Sequence, residues 1–155
     1  MAGRGRQRPC ESVKRMPEGS ELRVYTDGGA RGNPGPAAIG IVVCDASDQV
    51  LREHSEYIGE GTNNEAEYRA VIGALEVVRS FSPSEILFVS DSELLVRQLN
   101  GLYRVRNPRI AELFDEVKRK ARGFRKVSFT HRPRLTGHLE RADALVNEAL
   151  DGAGF

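Results

Sequence analysis

Several residue types are scarce in this chain of 155 residues, and each scarcity narrows the possible classes of protein. The chain contains no tryptophan, two cysteines and three histidines. No apolar run approaches the roughly 18 residues that a membrane-spanning helix requires, so we expect no membrane association. Two isolated cysteines, Cys10 and Cys44, do not suggest a disulfide framework, which favours reduced thiols in a cytoplasmic protein.

The first 20 residues lack the apolar segment of a secretory signal. They are rich in glycine, arginine and proline, which predicts a disordered basic arm over residues 1–20. The remaining length is typical of one domain, which we predict over residues 21–151.

A net charge of +1 conceals an uneven distribution of charge along the chain. The arm holds five lysines or arginines against two acids, and residues 117–134 hold eight with no acid. This segregation favours a polyanionic partner. The alternative is a solvated helix end and an incidental tail.

Hydrophobic periodicity predicts nine elements in an α/β arrangement. Strands are predicted at 21–27, 37–45, 49–59, 85–90 and 126–132, and helices at 63–80, 92–100, 109–122 and 139–150. The run "EILFVS" at 85–90 is almost wholly apolar, which is typical of an interior strand covered on both faces. We therefore expect a five-stranded mixed sheet flanked by helices.

Two acids occupy the ends of predicted strands. Asp27 ends the first strand and precedes Gly28 and Gly29, and Asp91 follows "EILFVS" where a helix begins. The carboxyl edge of an α/β sheet is the usual place for a functional site. Taken singly, Asp27 could be a turn acid and Asp91 a helix N-cap.

Two further acids interrupt apolar faces of predicted helices. Glu67 heads a row that continues with Val71, Ala74 and Val78, whereas Glu65 starts a mostly polar row. Asp143 breaks a row in the last helix. The other members of that row are Leu139, Val146 and Leu150. A buried carboxylate is costly without compensation, so each of these two acids should face a charged partner or an ion.

Four converging carboxylates would repel one another strongly unless cations lay between them. Hard oxygen donors without a histidine or cysteine cluster favour Mg²⁺ or Mn²⁺. Gly28 and Gly29 would then let a bulky substrate approach the backbone closely. A phosphate-binding P-loop is excluded because no Gly-Lys-Ser/Thr follows the glycines.

Four segments together resemble type 1 ribonuclease H: "YTDGGARGNPGPAAIG", "TNNEAEYRAVIGALE", "VSDSELLVRQLNG" and "ERADALVNEAL". They follow the family order and span about residues 22–150. The resemblance implies a ribonuclease H-like fold and hydrolysis of the RNA strand of RNA–DNA hybrids, giving 3′-hydroxyl and 5′-phosphate ends. It also implies two Mg²⁺ or Mn²⁺ ions, held by Asp27, Glu67, Asp91 and Asp143.

The resemblance also implies substrate contacts. Asn33 in the glycine-rich loop, with Asn63 and Asn64, would lie along the minor groove of the hybrid and read ribose hydroxyls. Thr62 would hold a phosphate of the DNA strand. The alternative for "TNN" is a plain helix cap, although capping and binding can coexist.

Two features depart from the family pattern. Many members insert a basic, tryptophan-bearing protrusion where this chain has only "GLYRVRNP", so we expect hybrid affinity to come from residues 117–134 and the arm. The loop before Asp143 offers His131, Arg134 and His138, and the family loop slightly favours His138 as a catalytic proton-handling group.

Other functions remain compatible with these residues. A related nuclease could act on double-stranded RNA or structured nucleic acid, and a non-catalytic module could bind hybrids without cutting them. Retention of all four acids argues against the binding module, because pure binding would favour their neutralisation. We expect the protein to be a monomer.

Overall fold

The structure, a computed structural model, describes residues 20–133 and 137–155. The arm predicted for residues 1–20 lies almost wholly outside these ranges, and so does Arg134. Within the described ranges, no helix is both long and apolar enough to cross a membrane.

In the described part of the chain, five strands and four α-helices follow in the predicted order. They are β1 (Glu21–Ala30), β2 (Gly35–Cys44), β3 (Val50–Gly61), α1 (Asn63–Val77), β4 (Glu85–Ser90), α2 (Glu93–Leu99), α3 (Pro108–Ala121), β5 (Lys126–His131) and α4 (Gly137–Gly152). A 3₁₀ turn over Val78–Phe81 ends the first helix earlier than predicted. Ser82 then adopts a left-handed conformation before Pro83, which stops the helix.

The strands form one mixed sheet in the order β3-β2-β1-β4-β5. The β1–β2 and β2–β3 pairs are antiparallel, whereas β1–β4 and β4–β5 are parallel. The predicted class is therefore confirmed.

The sequence predicted that the first strand ends at Asp27, but the strand continues to Ala30. Its parallel pairing with β4 ends at Thr26 opposite Ser90, but its antiparallel pairing with β2 continues to Ala30. The pairing with β2 therefore keeps the backbone of β1 extended beyond the residue where the pairing with β4 ends. Asp27 and Asp91 are thus the residues that directly follow the last parallel pair.

Alternation along β2 divides the interior into two layers. Ile39, Ile41 and Val43 join the larger core, which α1, α2 and α3 cover. Val42 and Cys44 point to the other face, where they pack against α4. The sheet is therefore covered on both sides, and α1 and α4 approach it from opposite faces.

Candidate active site

Three carboxylates meet where the parallel pairing of β1 with β4 ends. Asp27 is buried, Glu67 and Asp91 are half-buried, and one oxygen from each lies within 4.8 Å of the other two. Asp27 comes from β1, Glu67 from the start of α1 and Asp91 from the residue after β4. Three separate elements thus bring together three of the four predicted acids. We call these three residues the carboxylate group.

Asp143 lies on the same cleft but outside this tight group. The cleft has a volume of about 350 Å³, and its walls include Asp27, Glu67 and Asp143. The other members of the Asp143 row are buried, as predicted: Leu139, Val146 and Leu150. Asp143 therefore lines the cleft together with Val146 and Leu150 of the same row, and it is the charged member of that row.

The start of α1 separates the roles of its two neighbouring acids. The Thr62 hydroxyl accepts a hydrogen bond from the Glu65 N–H at 3.1 Å, and the Thr62 N–H donates to Glu65 Oε1 at 2.8 Å. This is a capping box, and Arg109 also donates to Glu65 Oε2 at 3.3 Å. Glu65 therefore stabilises the start of the helix, whereas Glu67 belongs to the carboxylate group.

The simpler interpretations of Asp27 and Asp91 do not hold. Ser92, not Asp91, caps α2, because its hydroxyl accepts a hydrogen bond from the Leu95 N–H. Asp27 lies inside β1 opposite Gly40 and is not a turn acid. Asp27 is therefore not explained as a turn acid, nor Asp91 as the N-cap of α2.

Two glycines allow the acid-bearing helices to approach the sheet closely. A Cβ on Gly28 would lie 2.2 Å from the carbonyl oxygen of Ala66, and one on Gly40 would lie 2.2 Å from that of Ala142. Each contact is made by the residue immediately before an acid, Glu67 in one helix and Asp143 in the other. Gly28 follows Asp27 in the chain, and Gly40 is the cross-strand partner of Asp27.

This arrangement gives Gly28 a packing role that the sequence did not reveal, and it gives Gly40 the same role. Helix packing explains the missing side chain at Gly28, whereas a Cβ on Gly29 would meet only ordinary contacts at 3.7 Å or more. Both glycines line the cleft, and the approach of substrate to their backbone stays a prediction. The signal for Gly40 was a lone glycine inside an apolar strand, which often marks close approach of another backbone.

The glycine-rich loop is tied to the start of α1 by two asparagines. Asn33 Oδ1 accepts a hydrogen bond from the Asn63 N–H at 3.0 Å, and Asn63 Oδ1 accepts from the Ala30 N–H at 2.8 Å. Asn64 follows in the first turn of α1 and is half-buried. Asn33 and Asn63 are thus joined by a hydrogen bond, and Asn63 lines the cleft.

Arg31 is a cation on the cleft wall that sequence reasoning missed. Asp151 and Asn147 hold its guanidinium from α4, at 2.8 Å and 3.2 Å. The available signal was a basic residue inside a glycine-rich loop next to Asp27.

The structure does not bring His138 to the acids. Its Nε2–H donates to the carbonyl oxygen of Asp48 at 3.1 Å, and its ring packs edge-on against Tyr25. His138 is not part of the cleft wall. His131 ends β5 opposite Ser90 and so lies nearer to Asp91, while Arg134 is outside the described residues.

The basic stretch 117–134 is divided between the two ends of the molecule. Arg109 contacts Glu65 at the start of α1, and Lys120 contacts Glu76 near its end, so α3 runs parallel to α1. The two contacts lie about 16 Å apart along α3. The cationic end of α3 therefore points away from the acids, whereas the Arg132 N–H bonds Ser90, next to Asp91.

Comparison with known proteins gives one consistent family. The family model described as reverse transcriptase-like matches residues 25–149. Ribonuclease HI of Halobacterium salinarum is 41% identical over 142 residues, which cover 92% of this chain and 70% of that protein. The bifunctional protein Rv2228c of Mycobacterium tuberculosis is 38% identical, but the match covers only 35% of its length.

Solved structures similar to this one indicate the same family. The crystal structure of RNase H1 from Halobacterium salinarum superposes with a TM-score of 0.82 over 85% of this chain and 98% of the other. LC11-RNase H1, solved in complex with an RNA/DNA hybrid, is 45% identical and has a TM-score of 0.80 over the same shares of the two chains. On these matches, the chain belongs to the type 1 ribonuclease H family of enzymes.

Proposed function

We propose that this chain is an endonuclease that uses two divalent metal ions to cut the RNA strand of RNA–DNA hybrids, leaving 3′-hydroxyl and 5′-phosphate ends. The observation that carries the proposal is the meeting of Asp27, Glu67 and Asp91 within 4.8 Å, beside a cleft that Asp143 also lines. The relative solved with a hybrid supports the choice of substrate.

The residues fit divalent cations of the hard, oxygen-binding type. All the donors are carboxylates, and their close approach without a cation would be strongly repulsive. Asp27, Glu67 and Asp91 would hold one ion, and Asp143, across the cleft, would help to hold a second. When bound, such ions activate water and stabilise the leaving oxygen of a phosphodiester.

Selectivity for RNA would come from the surface beside the carboxylate group. Asn33, Asn63 and Asn64 carry amides that can donate to and accept from a 2′-hydroxyl. Gly29 leaves the adjacent backbone accessible on the cleft wall. Thr62 already caps α1, so any contact it makes with a DNA-strand phosphate must coexist with the capping hydrogen bond.

A cleavage assay on strand-labelled hybrid, duplex DNA and duplex RNA, with Mg²⁺ or with a chelator, tests the proposal. We expect only the RNA strand of the hybrid to be cut, and only with metal. The products should accept a 3′ ligation without prior phosphatase treatment, since the 3′ end is a hydroxyl. Replacing the ribonucleotides by 2′-deoxynucleotides should abolish cleavage.

The assay also separates the two other functions. Cutting of duplex RNA at a comparable rate would indicate the related nuclease, and binding without cutting in Mg²⁺ and Mn²⁺ would indicate the binding module. We further propose a monomer, which sedimentation of the full chain, with and without hybrid, tests directly.

A further inference from the structure

A second group of potential metal ligands lies at the other end of β1. Cys44 ends β2, Asp48 lies in the turn that follows, and His138 is in the first turn of α4. Their ligand atoms, one from each residue, all lie within 4.8 Å of one another. We call these three residues the hairpin group. Its Cys44 pairs with Arg23, so it is roughly 13 Å along β1 from Asp27.

The hairpin group is held in place by its surroundings. The Tyr25 hydroxyl donates to Asp48 Oδ1 at 2.6 Å, which leaves Oδ2 of the same carboxylate directed at His138. The Tyr25 and His138 ring centroids are 5.0 Å apart in an edge-on contact. Burial, followed by the hydrogen bond to Asp48, raises the pKa of the Tyr25 phenol, so this group remains a donor at neutral pH.

Geometry and donor chemistry both suit a tetrahedral transition metal. His138 Nε2 and Asp48 Oδ2 are 3.5 Å apart. Two ligands of a tetrahedral ion with metal–ligand bonds of about 2.0–2.2 Å are separated by about 3.3–3.6 Å, so this pair already has nearly the required spacing. A thiolate, an imidazole and a carboxylate together favour Zn²⁺ over Mg²⁺, which prefers oxygen alone.

We propose that Cys44, Asp48 and His138 form a second metal site that takes Zn²⁺ and is separate from the carboxylate group. Cys44 would contribute sulfur from the buried end of β2, and the exposed Asp48 and the half-buried His138 would close the site from the surface. The ion would fasten the start of α4, the helix that carries Asp143, to the β2–β3 turn.

Binding requires two local changes. Burial raises the pKa of the Cys44 thiol to about 12, with Asp48 and Asp45 adding to the effect, so the metal-free thiol is protonated. Its proton passes to solvent as the sulfur–metal bond forms. His138 moves its ring proton to Nδ1, gives up its hydrogen bond to the Asp48 carbonyl, and offers the Nε2 lone pair to the ion.

The test uses Co²⁺ as a visible substitute for Zn²⁺, added to the full chain in excess Mg²⁺ so that the carboxylate group is occupied. We expect one equivalent of Co²⁺ to produce tetrahedral ligand-field bands and a thiolate charge-transfer band, both removed by Zn²⁺. Cys44→Ser should abolish the charge-transfer band. His138→Gln should weaken Co²⁺ binding by at least about tenfold.

Matched controls distinguish this site from the rest of the chain. Cys10→Ser removes the other cysteine, and His54→Gln removes a histidine that pairs with Glu56 on β3. Both should keep the full spectrum. A wild-type protein without the charge-transfer band, or a band that survives Cys44→Ser, would overturn the proposal.

Thermal unfolding provides a second measurement that does not depend on the buried cysteine. Zn²⁺ should raise the Tm of the wild type and of His54→Gln, because the ion binds the folded chain. It should raise the Tm of His138→Gln much less, because that variant binds the ion more weakly. An equal Zn²⁺-induced shift in His138→Gln would contradict the assignment even if Cys44→Ser failed to fold.

Discussion

The carboxylate group and the hairpin group make an instructive pair. Each collects three side chains from strands, helices or the residues that follow strands, with ligand atoms within 4.8 Å of one another. The carboxylate group is all oxygen and opens on a cleft of about 350 Å³, whereas the hairpin group mixes sulfur, nitrogen and oxygen at a corner between a turn and a helix start. Proximity alone does not distinguish them. Donor chemistry and the open cleft do: on the functions proposed above, hydrolysis belongs to the first group and ion binding without hydrolysis to the second.

If the carboxylate group were not needed for cleavage, the two groups could not be given different functions. We expect Asp91→Asn to lower cleavage by at least about a hundredfold, because metal-assisted charge stabilisation is worth several kcal/mol and this change removes one metal-facing charge at nearly constant shape. Single-turnover cleavage over a Mg²⁺ titration measures the loss, and circular dichroism and hybrid binding check the fold. Turnover near that of the wild type at saturating Mg²⁺ would refute the assignment.

The two acids at the start of α1 sharpen the boundary of the carboxylate group. Glu67→Gln should resemble Asp91→Asn in cleavage. Glu65→Gln should keep turnover, because glutamine can still complete the capping box with Thr62 and only the exposed ion pair with Arg109 is lost. Parallel cleavage and urea unfolding of both variants test this. A dead Glu65→Gln beside an active Glu67→Gln would reverse the assignment of the two residues.

Gly28 tests whether helix packing places the carboxylate group. A methyl group there would overlap the Ala66 carbonyl, so Gly28→Ala should displace the start of α1 and lower the free energy of unfolding by about 1–3 kcal/mol. Cleavage should also fall, since Glu67 moves with the helix. Gly29→Ala is the matched control, and its free energy of unfolding should change little. Equal stabilities of the two variants would remove the packing explanation.

The carboxylate group could be predicted from the sequence, whereas the hairpin group could not. The acids of the cleft were visible because Glu67 and Asp143 break apolar rows, and the element order followed from periodicity. The hairpin group was not visible. Cys44 continues an apolar strand, Asp48 is typical of a turn, and His138 is an ordinary first-turn residue; only the tertiary contact of β2 with α4 makes them neighbours.

The placement of the basic residues could not be predicted from the sequence for a related reason. A run of like charge in sequence suggests one surface, but the turn between α3 and β5 sends the chain from one end of the sheet back toward the other. The charge count of residues 117–134 was correct, whereas the surface it implied depends on helix and strand direction. Gly40 was missed because its role depends on α4, which lies about a hundred residues further along the chain.

Substitutions in the basic stretch should have a smaller effect than the changes above, and the effect should be on hybrid binding. Arg132 lies at the end of β5 next to Asp91, whereas Arg119 is exposed at the far end of α3. We expect Arg132→Ala to weaken hybrid binding a few-fold and to reduce the slope of affinity against salt by about one unit, as loss of one phosphate contact does. Arg119→Ala should change neither. Fluorescence anisotropy over a range of salt concentrations measures both, and equal effects would restore one continuous basic patch.

The smallest effect is expected at His138, in the presence of Mg²⁺ alone. Its ring is engaged by the Asp48 carbonyl and by Tyr25 and does not line the cleft, so His138→Ala should change turnover by less than about twofold. A group that handled a proton in the reaction would instead contribute about a hundredfold or more. Turnover at saturating hybrid, measured from pH 6 to pH 9, makes the distinction. A tenfold loss that varies with pH would show that His138 reaches the scissile phosphate in the working enzyme, and the separation of the two groups would then be wrong.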